Sequence, residues 1–210
     1  MTHQELISHP DYEQIYSVSH DEVKTLIVAE IAKNNGWARV ANMYQIAGIL
    51  AFILGTFKAF MPFFVSRKWD YLLWLGLGIA FTFSALIILH ELIHAATYKS
   101  LGVNNLTFGL KLSKFMFYVE ADRQVINHSQ FRKVALAPAV VIAILSIIGM
   151  IIFYNQPPFY FFLTIFAFHS LFCAGDFGLL CFFENRNEQD VLTFDVKEEG
   201  RMYFYGKKPN

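Results

Sequence analysis

A helix needs about 20 consecutive apolar residues to cross the hydrocarbon core of a bilayer. This chain holds four runs of that kind, over residues 43–65, 71–98, 134–154 and 158–183. In hydrocarbon the backbone finds no water to bond, so a spanning segment must satisfy its own amides as a helix. The first run is interrupted only by Lys58, whose long stem lets the ammonium reach the nearer interface. The expected fold class is therefore an all-α polytopic membrane protein with four transmembrane helices. Composition agrees, since 55% of the 210 residues are apolar, 17% are aromatic and only 16% are charged, against roughly a quarter charged in soluble domains.

The formal charge is zero. That gives no basic excess with which to neutralise phosphates, so nucleic acid is not an expected partner. Cys173 and Cys181 fall in one apolar run, which speaks against a disulfide framework and for two buried thiols. The first forty residues are polar and acidic and show no secretory signal.

Lysine and arginine orient the spans, because they accumulate on the cytoplasmic side. Lys24, Lys33 and Arg39 precede the first run. Lys99, Lys111, Lys114, Arg123, Arg132 and Lys133 lie between the second and third, and Arg186, Lys197, Arg201, Lys207 and Lys208 follow the fourth. The opposite side has only Arg67 and Lys68, and the turn "NQPP" carries no charge. The chain is thus expected to be a multi-pass protein of the cell membrane with both termini cytoplasmic. Its parts would be an amino-terminal cytoplasmic or interfacial segment (1–41), a transmembrane domain (42–184) and a cytoplasmic tail (185–210).

Outside the membrane the patterns are short. Ser19 and Glu22 have capping-box spacing and predict a helix opening "HDEVKTLIVAEIAKN" and stopping at Gly36. Val23, Leu26, Ile27 and Ile31 share one face, which would lie on the cytoplasmic membrane surface. Between the second and third spans "LTFGLKLSKFMFYVEAD" alternates as a β-hairpin does, with its turn near Ser113 and Lys114. The tail segment "VLTFDVKEEGRMYFYG" predicts a second, short hairpin.

The second run is unusual in carrying three ionisable groups, in "IILHELIHAAT". Ionisable residues within a membrane helix are costly and mark function. His90 and His94 are four apart, so a helix stacks them on one face one turn apart, within reach of a single ion. Glu91 falls beside them, where it can hold a water. H-E-x-x-H on a helix is the pattern of a zinc peptidase, with the glutamate as general base. The bland alternative is a pair of core histidines bonded to neighbouring helices.

A catalytic zinc takes three protein ligands and leaves a position for water. The second and fourth spans both enter from outside, so helical rise puts His90 ~28 Å and Asp176 ~27 Å along them, at matching depth. Asp176 is also the only carboxylate inside the fourth run before Glu184, and is the expected third ligand. Cys173 could ligate in its place. His169, Cys173 and Asp176 share one helical face, so His169 and Cys173 are candidates to support a ligand or bind substrate. His128 is expected to be solvated in the basic loop, and His3, His9 and His20 to lie away from the site.

Taken together, four spans, "HELIH" near the cytoplasmic end of one, "LAP" opening the next (Leu136 to Pro138) and a late "GD" (Gly175, Asp176) resemble a bacterial family of membrane zincin-type peptidases. More distantly the chain resembles the site-2 proteases, which are intramembrane zinc enzymes. The resemblance implies Zn2+ as cofactor, His90, His94 and Asp176 as its ligands, and Glu91 as the catalytic carboxylate. The chain departs from the site-2 pattern in having glycine before Asp176, Phe177 after it, and no Asn-Pro element.

The expected function is that of a zinc metallopeptidase acting on a membrane-associated protein or peptide at the cytoplasmic edge of the bilayer. An extended substrate could pair with an edge of the hairpin over 106–121. The same site could instead cut a soluble or lipid-anchored peptide. A rival from another class is a non-catalytic membrane protein, an immunity or chaperone-like factor, that keeps a structural metal. Zinc transport fits less well, because only one polar cluster appears at one depth.

Overall fold

The computed structural model describes residues 1–111, 116–186 and 191–208. Their elements run α1 (His3–Ile7), β1 (Tyr12–Ser19), α2 (Val23–Ala32), α3 (Gly36–Ser66), α4 (Asp70–Thr82), α5 (Ala85–Ser100), β2 (Leu106–Lys111), β3 (Met116–Ala121), β4 (Ile126–Asn127), α6 (His128–Ile152), α7 (Phe159–Phe172), α8 (Ala174–Glu184), β5 (Leu192–Val196) and β6 (Arg201–Lys207). Helices dominate, with two small sheets beside them.

Among the described residues, α3, α6 and the stretch from α7 through α8 are each long and apolar enough to cross a membrane. The second apolar run is not one straight helix. It divides into α4 and α5, bent by 49°, so the chain has three candidate spans, or four if the bent pair is one. At the bend Thr82 Oγ1 donates to the Gly78 carbonyl at 2.8 Å and Ser84 Oγ to the Ala80 carbonyl at 2.7 Å, bonds of a kind that often accompanies helix bends. Depth reckoned along a straight rod therefore does not hold for His90. In the fourth run α7 passes into α8 at Cys173, whose N–H donates to the His169 carbonyl. Outward apolar side chains are plentiful. Met43, Leu54, Phe57 and Phe64 on α3 and Ile144, Leu145, Ile151 and Ile152 on α6 are exposed, far more than a soluble monomer displays.

Two compact units divide the chain, and helix α5 contributes to both. One comprises Met1–Ala38, Glu91–Ala137 and Gly175–Asn210. Its larger sheet is antiparallel with strand order β1-β6-β5-β4. The tail hairpin expected from sequence is β5 and β6, turning through a 3-10 segment (Lys197–Glu199) to Gly200, whose φ of 58° suits glycine. Sequence reading missed α1, β4 and above all β1, which pairs with β6 from Tyr12↔Lys207 to Ser19↔Arg201. Leu6, Phe194, Val196 and Tyr205 bury a small core around this sheet. The second sheet is the expected hairpin, β2 against β3, with Phe108 opposite Val119; its turn near Ser113 and Lys114 lies outside the described residues.

Local details in this unit correct three expectations. Ser19 and Glu22 bond each other (Oγ to Oε2, 2.7 Å) rather than forming a reciprocal capping box, and α2 starts after Glu22 without a side-chain cap. Gly36 opens α3 instead of closing α2, and Asn35 Oδ1 accepts the Ala38 N–H at 2.8 Å. The apolar face of α2 is used within the protein, since Ile27 packs on Gly178 of α8. Beside it, Glu30 is 2% exposed and accepts from Lys33 Nζ (2.8 Å), Asn185 Nδ2 (2.7 Å) and Arg186 Nη1 (3.2 Å). Burial alone would raise its carboxyl, but those donors outweigh burial and hold it below the usual carboxylate value.

The other unit comprises Arg39–His90 and Pro138–Ala174. Here small residues allow close helix approach, as in membrane bundles generally. A Cβ at Gly78 of α4 would lie 2.8 Å from Thr164 Cβ and 3.0 Å from the Phe161 carbonyl oxygen of α7, and one at Gly48 of α3 would lie 3.0 Å from the Ala167 carbonyl oxygen. Ala59, Leu75 and Tyr160 form a buried cluster, and Phe52 meets Phe168 edge-on at 4.9 Å.

Two predictions follow from this packing. Gly78→Val should lower the melting temperature in detergent, whereas Gly76→Val, with nothing within 4 Å of its Cβ, should not shift it by the same amount. Glu30→Ala removes the carboxylate shared by Asn185, Arg186 and the more exposed Lys33 and should cost roughly 1–3 kcal/mol in chemical denaturation. Because the folded value of Glu30 lies below the unfolded one, its contribution is complete above about pH 5 and is lost as pH falls. The wild-type advantage over the Glu30→Gln variant should therefore shrink on acidification.

Candidate metal centre

Along α5 the 3.6-residue period does what the H-E-x-x-H spacing requires. One ligand atom each from His90, Glu91 and His94 lies within 4.8 Å of the other two. Both histidines are nearly buried, at 8% and 7% exposure, and Glu91 is partly buried.

Each imidazole has its Nδ1 engaged. His94 Nδ1 is 3.0 Å from the carbonyl oxygen of Val134 on α6. A carbonyl only accepts, so His94 carries a proton on Nδ1, which leaves Nε2 as the nitrogen that could be offered to a metal. His90 Nδ1 lies 3.0 Å from His169 Nε2 on α7. Such partners fix the tautomer and orientation of a metal-binding histidine.

Asp176, in the first turn of α8, approaches His94, with Oδ1 3.3 Å from Nε2. Ligands about 2.1 Å from a tetrahedral ion stand about 3.4 Å apart, so this contact has the spacing of two members of one zinc shell. Asp176 is brought to His94: among the described residues the groups of three within reach of one ion are His90, Glu91 and His94, and His90, His169 and Cys173, neither of which includes Asp176. His169 and Cys173 associate with His90, Cys173 Sγ lying 3.6 Å from His169 Nδ1, while Asp176 associates with His94.

Two backbone groups complete the surroundings. The Val119 N–H of β3 donates to Glu91 Oε2 at 3.1 Å, and the Val134 carbonyl holds His94. A motif of side chains cannot reveal either, because any residue supplies them. One histidine also departs from expectation, and another has a role outside the site. His128 is not in a loop but opens α6, its ring stacked on Phe183 at 5.1 Å. His20 bridges two carboxylates, with Nδ1 3.2 Å from Glu120 and Nε2 3.6 Å from Asp195. Burial pushes the Glu120 carboxyl up, and His20 opposes that shift.

Comparison with curated proteins and with solved structures gives no match. A family described as "putative zincin peptidase" matches residues 83–189. That stretch contains α5, the hairpin, and α6 to α8, and so His90, Glu91, His94, His169, Cys173 and Asp176 together. It covers half of the chain, and the protein belongs to this zincin peptidase family.

Proposed function

We propose that the protein is a membrane-embedded zinc metallopeptidase that hydrolyses a peptide bond of a membrane-associated protein or peptide, with the site near the cytoplasmic edge of the bilayer. The observation that carries this reading is the pairing of His94 Nε2 with Asp176 Oδ1 at a ligand-to-ligand spacing, beside a glutamate one turn away. In this reading His90, His94 and Asp176 hold the zinc, and both termini face the cytoplasm, as the distribution of lysine and arginine favours. When bound, the ion supplies Lewis-acid polarisation of the scissile carbonyl and of a water in its open position.

The chain's own groups do the rest. Val134 keeps the His94 proton on Nδ1, so that Nε2 faces the ion. Glu91 removes a proton from the attacking water and returns it to the amine nitrogen as the C–N bond breaks, an acid–base contribution worth roughly 10²–10⁴-fold. Before substrate arrives, its carboxylate accepts from Val119 N–H on the outer edge of β3. An extended substrate segment pairing with that edge takes over this N–H and leaves the carboxylate facing water. Such pairing also meets a chemical need, because amides inside an intact helix are bonded and shielded from attack.

Metal content tests the ligand set. Purified wild type should hold one zinc per chain, His94→Ala and Asp176→Ala should lose it, and Glu91→Gln should keep it. Retention of zinc in either ligand variant would refute the assignment. For the reaction, new peptide termini in membrane proteins should appear in cells producing wild type and be absent with Glu91→Gln. Identical termini from both would instead indicate a structural metal in a protein that does not cut.

A further inference from the structure

A second cluster of metal-binding side chains lies wholly within the unit formed by Arg39–His90 and Pro138–Ala174. His169 and Cys173 stand one turn apart at the end of α7, both with no exposure, and His90 reaches them from α5. One ligand atom from each of the three lies within 4.8 Å of the other two. His90 Nδ1 and His169 Nε2 are 3.0 Å apart, and Cys173 Sγ is 3.6 Å from His169 Nδ1 and 3.7 Å from its Nε2.

We propose that His90, His169 and Cys173 form a separate binding site for a soft monovalent ion, Cu+. Donor chemistry selects the ion. Two imidazoles and a thiolate suit soft cations and exclude magnesium and calcium, which prefer oxygen. Charge makes the choice narrower. One thiolate and two neutral imidazoles around Cu+ sum to zero, whereas a divalent ion leaves an uncompensated positive charge among apolar helices, where burial of charge is costly. Three ligands also complete a trigonal shell without recruiting a fourth. On binding, the thiol proton is released, and the His90 Nδ1 to His169 Nε2 contact is replaced by two N–Cu bonds.

The site has a consequence for the peptidase reading, and this consequence rests on that reading while the site does not. A neutral imidazole has one lone-pair nitrogen. When His90 gives Nδ1 to copper, its Nε2 carries the proton and cannot coordinate zinc. The two ions therefore compete for His90, and copper switches the peptidase off.

The test is an anaerobic titration of the detergent-purified, zinc-free chain with Cu+ against a colorimetric Cu+ chelator, together with copper X-ray absorption of the wild-type complex. One Cu+ per chain with sulfur in its shell is expected. Cys173→Ser and His169→Ala should weaken it by at least about tenfold, with unchanged circular dichroism. Cys181→Ser, His94→Ala and Asp176→Ala should bind copper as wild type does, although the last two lose zinc. Copper equally tight in Cys173→Ser, a wild-type shell without sulfur, or no capture against the chelator overturns the proposal. Because the X-ray measurement needs no variant, a misfolded substitution does not decide the matter. Loss of the zinc assignment alone would show in Asp176→Ala and leave the copper result standing.

Discussion

Ionisable groups in apolar helices must be given partners, and most of the functional architecture follows from how α5 meets that demand. An imidazole or carboxylate moved from water into a dry bundle costs several kcal/mol unless its polar atoms are bonded. On α5 that cost is offset by a carbonyl of α6 at His94, by an imidazole of α7 at His90 and by an amide of β3 at Glu91. These bonds do more than compensate. Each fixes which atom of the side chain is turned toward a ligand, so the arrangement that makes the helix tolerable also prepares it for a metal.

Helix irregularities serve the same end. A straight helix over the second apolar run would keep one direction throughout, but the run bends by 49° between α4 and α5, before the histidines begin. In the last run α7 carries His169 and the Cys173 thiol by His90, and α8 carries Asp176 in its first turn, where a carboxylate is favoured by the helix N-terminus.

The polar side chains outside the spans knit distant parts of the sequence. β1 and β6 are separated by nearly the whole chain yet pair along their full lengths, and Glu30 gathers Lys33, Asn185 and Arg186. Both contacts join the residues before the first span to those after the last. β1 carries β-branched and aromatic residues in "YEQIYSVS", a signal present in the sequence but weak beside the apolar runs. His20, which terminates that strand, becomes a bridge between Glu120 and Asp195 only because β3 and β5 come to it.

The sequence by itself determined the elements whose signal is local. Run length and hydropathy marked the long apolar helices, alternation marked the two hairpins, and a four-residue spacing put His90 and His94 on one helical face, since side-chain direction along a helix is set by its period alone. Only the tertiary structure decided which groups those side chains meet: Asp176 at His94, His169 and Cys173 at His90, and the backbone of Val119 and Val134 at Glu91 and His94. Such meetings depend on pairings between segments distant in sequence. They arise from the balance of many weak contacts across the fold, which no short window of sequence contains.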